Sequence, residues 1–136
     1  MNPDTIPEEV ADFVVKHIPS VRVLEAVLFL AKDPDRSWTA MEISTELRCD
    51  ADVLARDLAI LSQDHVVSMK QGNAQLLYAA APAGSQAHEA AIELLQFYKT
   101  HWLRIIELVY SDRREDGLKS FADAFRLTKA RRSEKP

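Results

Sequence analysis

The side chains best suited to chemistry in this sequence are one thiol, Cys49, and four imidazoles, His17, His65, His88 and His101. A lone thiol excludes an intramolecular disulfide framework and a zinc site built from several thiolates. Cys49 falls in a turn just ahead of a helix, where a lowered pKa would suit an oxidant sensor. Asp50 and Asp52 beside it push the other way, so a filler role is expected. The histidines lie far apart and lack HExxH spacing, so a metal site would have to assemble across helices. No metal and no cofactor is expected. Three scattered glycines cannot form a phosphate-cradling loop. Phe97, Tyr98, His101 and Trp102 could line a ligand pocket, but aromatics at helical spacing are read as core. No nucleophile–base pair can be named, and the expectation is a protein that is not an enzyme.

The elements that would position any site are mostly helical. The chain has 136 residues, 47% of them hydrophobic, enough for one domain with a buried core. Residues 1–70 carry 7 Lys/Arg against 13 Asp/Glu, and residues 71–136 carry 10 against 8, so the positive charge sits in the second half. No apolar run reaches the ~20 residues that span a bilayer. The acidic start MNPDTIPEEV does not resemble a signal peptide, which leads to an expectation of a cytoplasmic protein without membrane partners.

Thr5 as a cap, Pro7 in the first turn and Glu8-Glu9 predict a first helix that Pro19 ends. Ser20 caps a second, with Val23, Ala26, Val27 and Leu30 on its buried face. Thr39-Ala-Met-Glu42 is a capping box before a short helix that buries Ile43 and Leu47. Asp50 caps the next, whose Leu54, Leu58 and Leu61 share one side. From His65 the period becomes that of a hairpin, with Gly72-Asn73 expected to supply left-handed backbone at its tip. After Pro82-Ala83-Gly84, Ser85 caps a long helix of about 25 residues. The charged stretch 112–117 is expected as a linker, followed by a short amphipathic helix with Leu118, Phe121, Ala122 and Phe125 on one stripe. A basic tail with Arg126, Lys129, Arg131, Arg132 and Lys135 closes the chain. The fold class expected is mostly α with a small β-hairpin wing, a winged helix-turn-helix plus a long C-terminal dimerisation helix. Its divisions are residues 1–82, 83–111 and 112–136.

The segments TAMEISTELR (39–48) and LARDLAILSQDHVV (54–67) resemble the helix-turn-helix of MarR- and ArsR-type regulators, over roughly residues 20–81. The resemblance implies a DNA-binding transcriptional regulator acting as a homodimer. Asp52, Val53, Arg56, Ala59 and Gln63 would face bases, with Arg56 able to bridge two acceptors on guanine. Lys70 and Gln71, on the wing, would meet phosphate or the minor groove. The metal-sensing cysteine pair of ArsR-type proteins is absent. Asp50, Asp52 and Asp57 make the presumed recognition helix acidic, and His65 replaces the glycine usual at its end, so that residue must take left-handed backbone or the turn must differ. A winged-helix adapter that binds protein rather than duplex stays open as the alternative.

In the long helix one seam holds Ala87, Ala91, Leu94, Tyr98, Trp102, Ile105 and Val109, and a second holds Ile92, Leu95, Leu103, Ile106 and Tyr110. Two seams exceed what one small domain covers, so a two-fold dimer is expected through Leu94, Leu95, Tyr98, Trp102, Ile105, Ile106 and Val109. The other possibility is intramolecular cover of the second seam by the first helix and the 118–127 helix. The Phe121/Phe125 stripe is read as core filler or as a docking segment for another protein.

Overall fold

A computed structural model gives the chain over residues 6–132, with side chains described to residue 110. The order is α1 (Glu8–His17), α2 (Val21–Lys32), α3 (Ala40–Leu47), α4 (Ala51–Gln63), β1 (Val67–Gln71), β2 (Leu76–Ala80) and α5 (Gln86–Arg132). It is mostly helical, with a two-stranded antiparallel hairpin and a long C-terminal helix, as a winged helix followed by an arm requires.

Local chemistry sets most helix starts. The Val23 N–H donates to Ser20 Oγ and the Val53 N–H to Asp50 Oδ1, so each cap satisfies a donor the helix leaves open. At α3 both halves of the capping box form: Glu42 N–H donates to Thr39 Oγ1, and Thr39 N–H to Glu42 Oε1. The start of α1 differs from expectation. Pro7 holds the cap position with no side-chain cap, and Glu8-Glu9 at the positive end of the dipole support that turn; Thr5 lies outside the described residues.

The strands pair from Val67 opposite Ala80 to Gln71 opposite Leu76. Neither Gly72 nor Asn73 takes left-handed backbone, so the expected reason for a glycine there is corrected. Gly72 is needed for space: a Cβ would sit 2.7 Å from the Gln75 carbonyl oxygen, which accepts the Gly72 N–H at 2.8 Å. The hairpin also holds a single-residue bridge to Trp38, whose N–H and C=O exchange hydrogen bonds of 2.8 and 2.7 Å with Tyr78. That bridge fastens the wing to the segment just before α3.

The core joins α1 and α2 to the inner sides of α3, α4 and the hairpin, and α5 packs on α1 and α2. Leu94, Leu95, Ile105 and Val109 are buried in this one chain's core, so they are not free to meet a second copy. The expectation for these four is corrected: α1 and α2 pack along α5 and cover these residues from within. Tyr98 and Ile106 are half-buried against the same core, while Trp102 is 55% exposed and is not core.

α5 is 47 residues long rather than about 25, with non-helical backbone at His101 (φ −132°, ψ 41°). Beside that kink the His101 ring stacks on Phe97 at 4.5 Å, and its Nδ1 lies 2.7 Å from Thr100 Oγ1. Residues 112–117, expected as a linker, lie inside α5. Arg and Glu are good helix formers, and the single Gly117 costs only about 1 kcal/mol, too little to break a helix alone. The side chains of Phe121 and Phe125 and of the basic tail lie outside the described residues. Among the described residues no helix is long and apolar enough to cross a membrane.

Candidate nucleic-acid interface

The inner side of α4 is pinned by Leu54, Leu58 and Leu61, all buried with Ile43 of α3. Removing each such side chain from water is worth roughly 1.5–3 kcal/mol, so α4 cannot roll without losing most of that burial. Its outer side is thereby fixed outward. Asp52, Arg56, Ala59 and Gln63 are exposed on it, and Val53 is half-buried. Helical spacing places 52, 56, 59 and 63 along one stripe. Ile60, which the sequence reading did not single out, is 58% exposed beside them. Its period belongs to the outer stripe; only its hydrophobicity hid it.

Both ends of α4 are held by unusual backbone. Arg48, which closes α3, is left-handed (φ 58°), and the Cys49 N–H donates to the Ser44 carbonyl. At the far end His65 is left-handed (φ 63°), the alternative that its replacement of glycine left open. There the Val66 N–H reaches Leu61 O at 2.8 Å and the His65 N–H reaches Ser62 O at 3.1 Å, the paired bonds of a Schellman end. This turn aims the chain into β1.

On the wing, Lys70 and Gln71 are both exposed, but consecutive strand residues point to opposite faces. The register places Met69, Gln71, Leu76 and Tyr78 on one face and Ser68, Lys70 and Leu77 on the other. Met69 Sδ lies 3.8 Å from Ser62 Oγ, so its face is the one turned toward α4. Gln71 therefore shares the face that turns toward α4, and Lys70 lies on the opposite one.

Asp57 is removed from the acidic outer face. It is half-buried and accepts from Arg22 Nε of α2 at 2.5 Å, and that hydrogen bond holds the Arg22 pKa above its ordinary value against a smaller opposing effect of burial. The exposed charges that remain on α3, the turn, α4 and the wing are Glu42, Glu46, Asp50, Asp52 and Asp64 against Arg48, Arg56 and Lys70. Exposed apolar side chains also stand there, namely Met41, Ile60, Met69 and Leu76.

Cys49 is half-buried, and burial pushes its thiol pKa up, with Glu25, Asp57 and Asp50 adding to the rise and Arg22 opposing it. That environment disfavours the thiolate an oxidant sensor needs. Away from the outer face of α4, a groove of about 580 Å³ lies between α1, the end of α4 and the start of α5, with Phe13, His17, Asp64 and Glu93 in its lining. Its place differs from the aromatic pocket considered at Phe97, Tyr98, His101 and Trp102. His17 Nδ1 is shut from solvent without a hydrogen bond, 4.0 Å from Asp64 Oδ2. Among the described residues no group of His, Cys, Asp and Glu is arranged to hold a metal ion.

Comparison with protein families, with curated proteins and with solved structures found no match to this chain.

Proposed function

We propose that this chain is a cytoplasmic DNA-binding transcriptional regulator that docks α4 in the major groove of a duplex. The observation that carries the reading is the outer face of α4, which no other element covers among the described residues and which presents Arg56 and Gln63 while three leucines anchor its back. Arg56 would read guanine, Gln63 a neighbouring base edge, and Gln71 the flank of the groove. The tie between Asp57 and Arg22 supports this by taking one carboxylate off the approach to phosphate. With few cations on the face, affinity should be modest and steeply salt-dependent. Fluorescence anisotropy with labelled random duplex at low salt tests it. Binding that weakens with Arg56→Ala is expected, and a chain without any duplex affinity would overturn the reading.

A second reading has its own observation. Met41, Ile60, Met69 and Leu76 are exposed on the same side, and its carboxylates outnumber its cations. Such a surface suits a protein partner with a basic, apolar docking segment.

A further inference from the structure

Methionine ordinarily fills irregular gaps in a core. Here Met41 on α3 and Met69 on β1, the two methionines among the described residues, stand in water at 62% and 47% exposure. A thioether needs no deprotonation to act as a nucleophile, whereas burial pushes the Cys49 thiol away from its reactive thiolate. The two thioethers differ in what they touch. Met41 Sδ lies 3.9 Å from Ser44 Oγ, inside its own helix. Met69 Sδ lies 3.8 Å from Ser62 Oγ, on α4, so its contact joins two elements. The Ser62 hydroxyl also donates to the Ala59 carbonyl at 2.9 Å. It has one proton and the carbonyl is the stronger acceptor, so Met69 meets α4 chiefly by packing. In the strand register Met69 stands opposite Tyr78, which is 3% exposed and whose main chain bonds to Trp38. It therefore sits where the wing is fastened to the rest of the fold.

We propose that Met69 is a modification site for hydrogen peroxide, and that its oxidation loosens the wing from α4. The thioether sulfur attacks one peroxide oxygen. An S–O bond forms as the O–O bond breaks, and sulfur gives up two electrons. The proton on the attacked oxygen passes to the displaced hydroxide, which leaves as water. The product is a polar, chiral sulfoxide with a strong acceptor oxygen, which methionine sulfoxide reductases can return to the thioether. Apolar packing on α4 is then replaced by a group that turns toward water or competes with the Ala59 carbonyl for the Ser62 hydroxyl. Either course weakens the same contact.

Met41 supplies the internal comparison. Its oxidation alters a contact within α3 and leaves the wing in place. Gln71 lies two residues beyond Met69 on the same strand face, so a displaced wing carries it away from α4. The site does not rest on the nucleic-acid reading, because the state of the wing is read from the chain alone.

The test treats the full chain with hydrogen peroxide, follows the gain of oxygen at each methionine by peptide mass spectrometry, and reads the wing by amide hydrogen exchange. Both Met41 and Met69 gain oxygen. Exchange across residues 67–71 and 76–80 then rises roughly three- to tenfold, while the amides of α2 keep their protection. Met69→Leu, close in volume and inert to peroxide, abolishes the rise, and Met41→Leu keeps it. A Met69 that stays reduced while Met41 is oxidised, strand exchange unmoved by oxidation of Met69, or a rise that persists in Met69→Leu would each overturn the proposal. A chain that binds no duplex yet shows the Met69-dependent rise loses only the nucleic-acid reading.

Discussion

Arg22 and Asp57, 35 residues apart in sequence, join α2 to α4 through an Nε–Oδ2 hydrogen bond of 2.5 Å. The pair is partly exposed, so its coupling is small, about 1 kcal/mol. Truncating Arg22 alone leaves a half-buried carboxylate without its partner, which costs more than truncating both. In a urea-denaturation double-mutant cycle, Arg22→Ala is therefore expected to destabilise by about 1–2 kcal/mol, with the double variant less affected than the sum of the singles. Strict additivity would mean that the bond does not hold α4 in place.

His65 caps α4 in left-handed backbone at φ 63°. A non-glycine residue there bears a steric cost of about 1–2 kcal/mol, partly offset by the lower entropy of its unfolded state. Since the cap bonds come from the main chain, His65→Gly keeps them and removes the strain. A gain of roughly 0.5–1 kcal/mol, seen as a higher melting midpoint, is expected. A lower midpoint would show that the imidazole contributes contacts worth more than the strain it carries.

Burial lowers the His17 pKa from its ordinary 6.5, and Lys16 adds to that, while Asp64 opposes it. The unfolded chain then binds the proton more readily than the folded one just below pH 6.5. Stability is complete above that value and falls as the pH drops through it toward the lowered folded pKa. His17→Gln should flatten this part of the pH–stability curve between about pH 7.5 and 5.5. If the variant loses stability over that window as steeply as the parent, His17 is not the group that titrates.

The caps at Ser20, Thr39 and Asp50 were legible because donor and acceptor lie three residues apart. The leucines of α4 were legible for a related reason: their spacing follows the helical period. Contacts set by tertiary geometry were not. The Trp38–Tyr78 bridge involves one residue on its first strand, too short for any period to register. Both seams of α5 showed in the sequence, but which seam α1 covers depends on how two distant helices meet. Arg56 on the outer stripe followed from pattern, whereas the removal of Asp57 from that stripe needed its partner on α2. Lys70 and Gln71 read as one wing site until the register separated their faces.

Arg56 and Ile60 lie four residues apart on the outer face of α4, so paired substitutions there separate the two functional readings. In duplex recognition, losing a guanine-reading arginine costs about 1–3 kcal/mol, or roughly 5- to 150-fold in affinity. Ile60→Ser should change duplex affinity by less, since a lone apolar side chain supplies no phosphate contact and at most touches a thymine methyl. On a protein-binding face the order inverts: Ile60→Ser, with Met69→Ser, removes apolar burial at the centre, and Arg56→Ala alters only a rim charge. All three side chains are exposed, so each variant should melt within about 0.5 kcal/mol of the parent, and the comparison reads binding rather than folding. Anisotropy titrations on duplex at two salt concentrations give the ranking. A larger loss for Arg56→Ala, shrinking as salt rises, fits base and phosphate contact. Duplex binding that ignores Arg56→Ala places the contact elsewhere and returns this face to a protein partner.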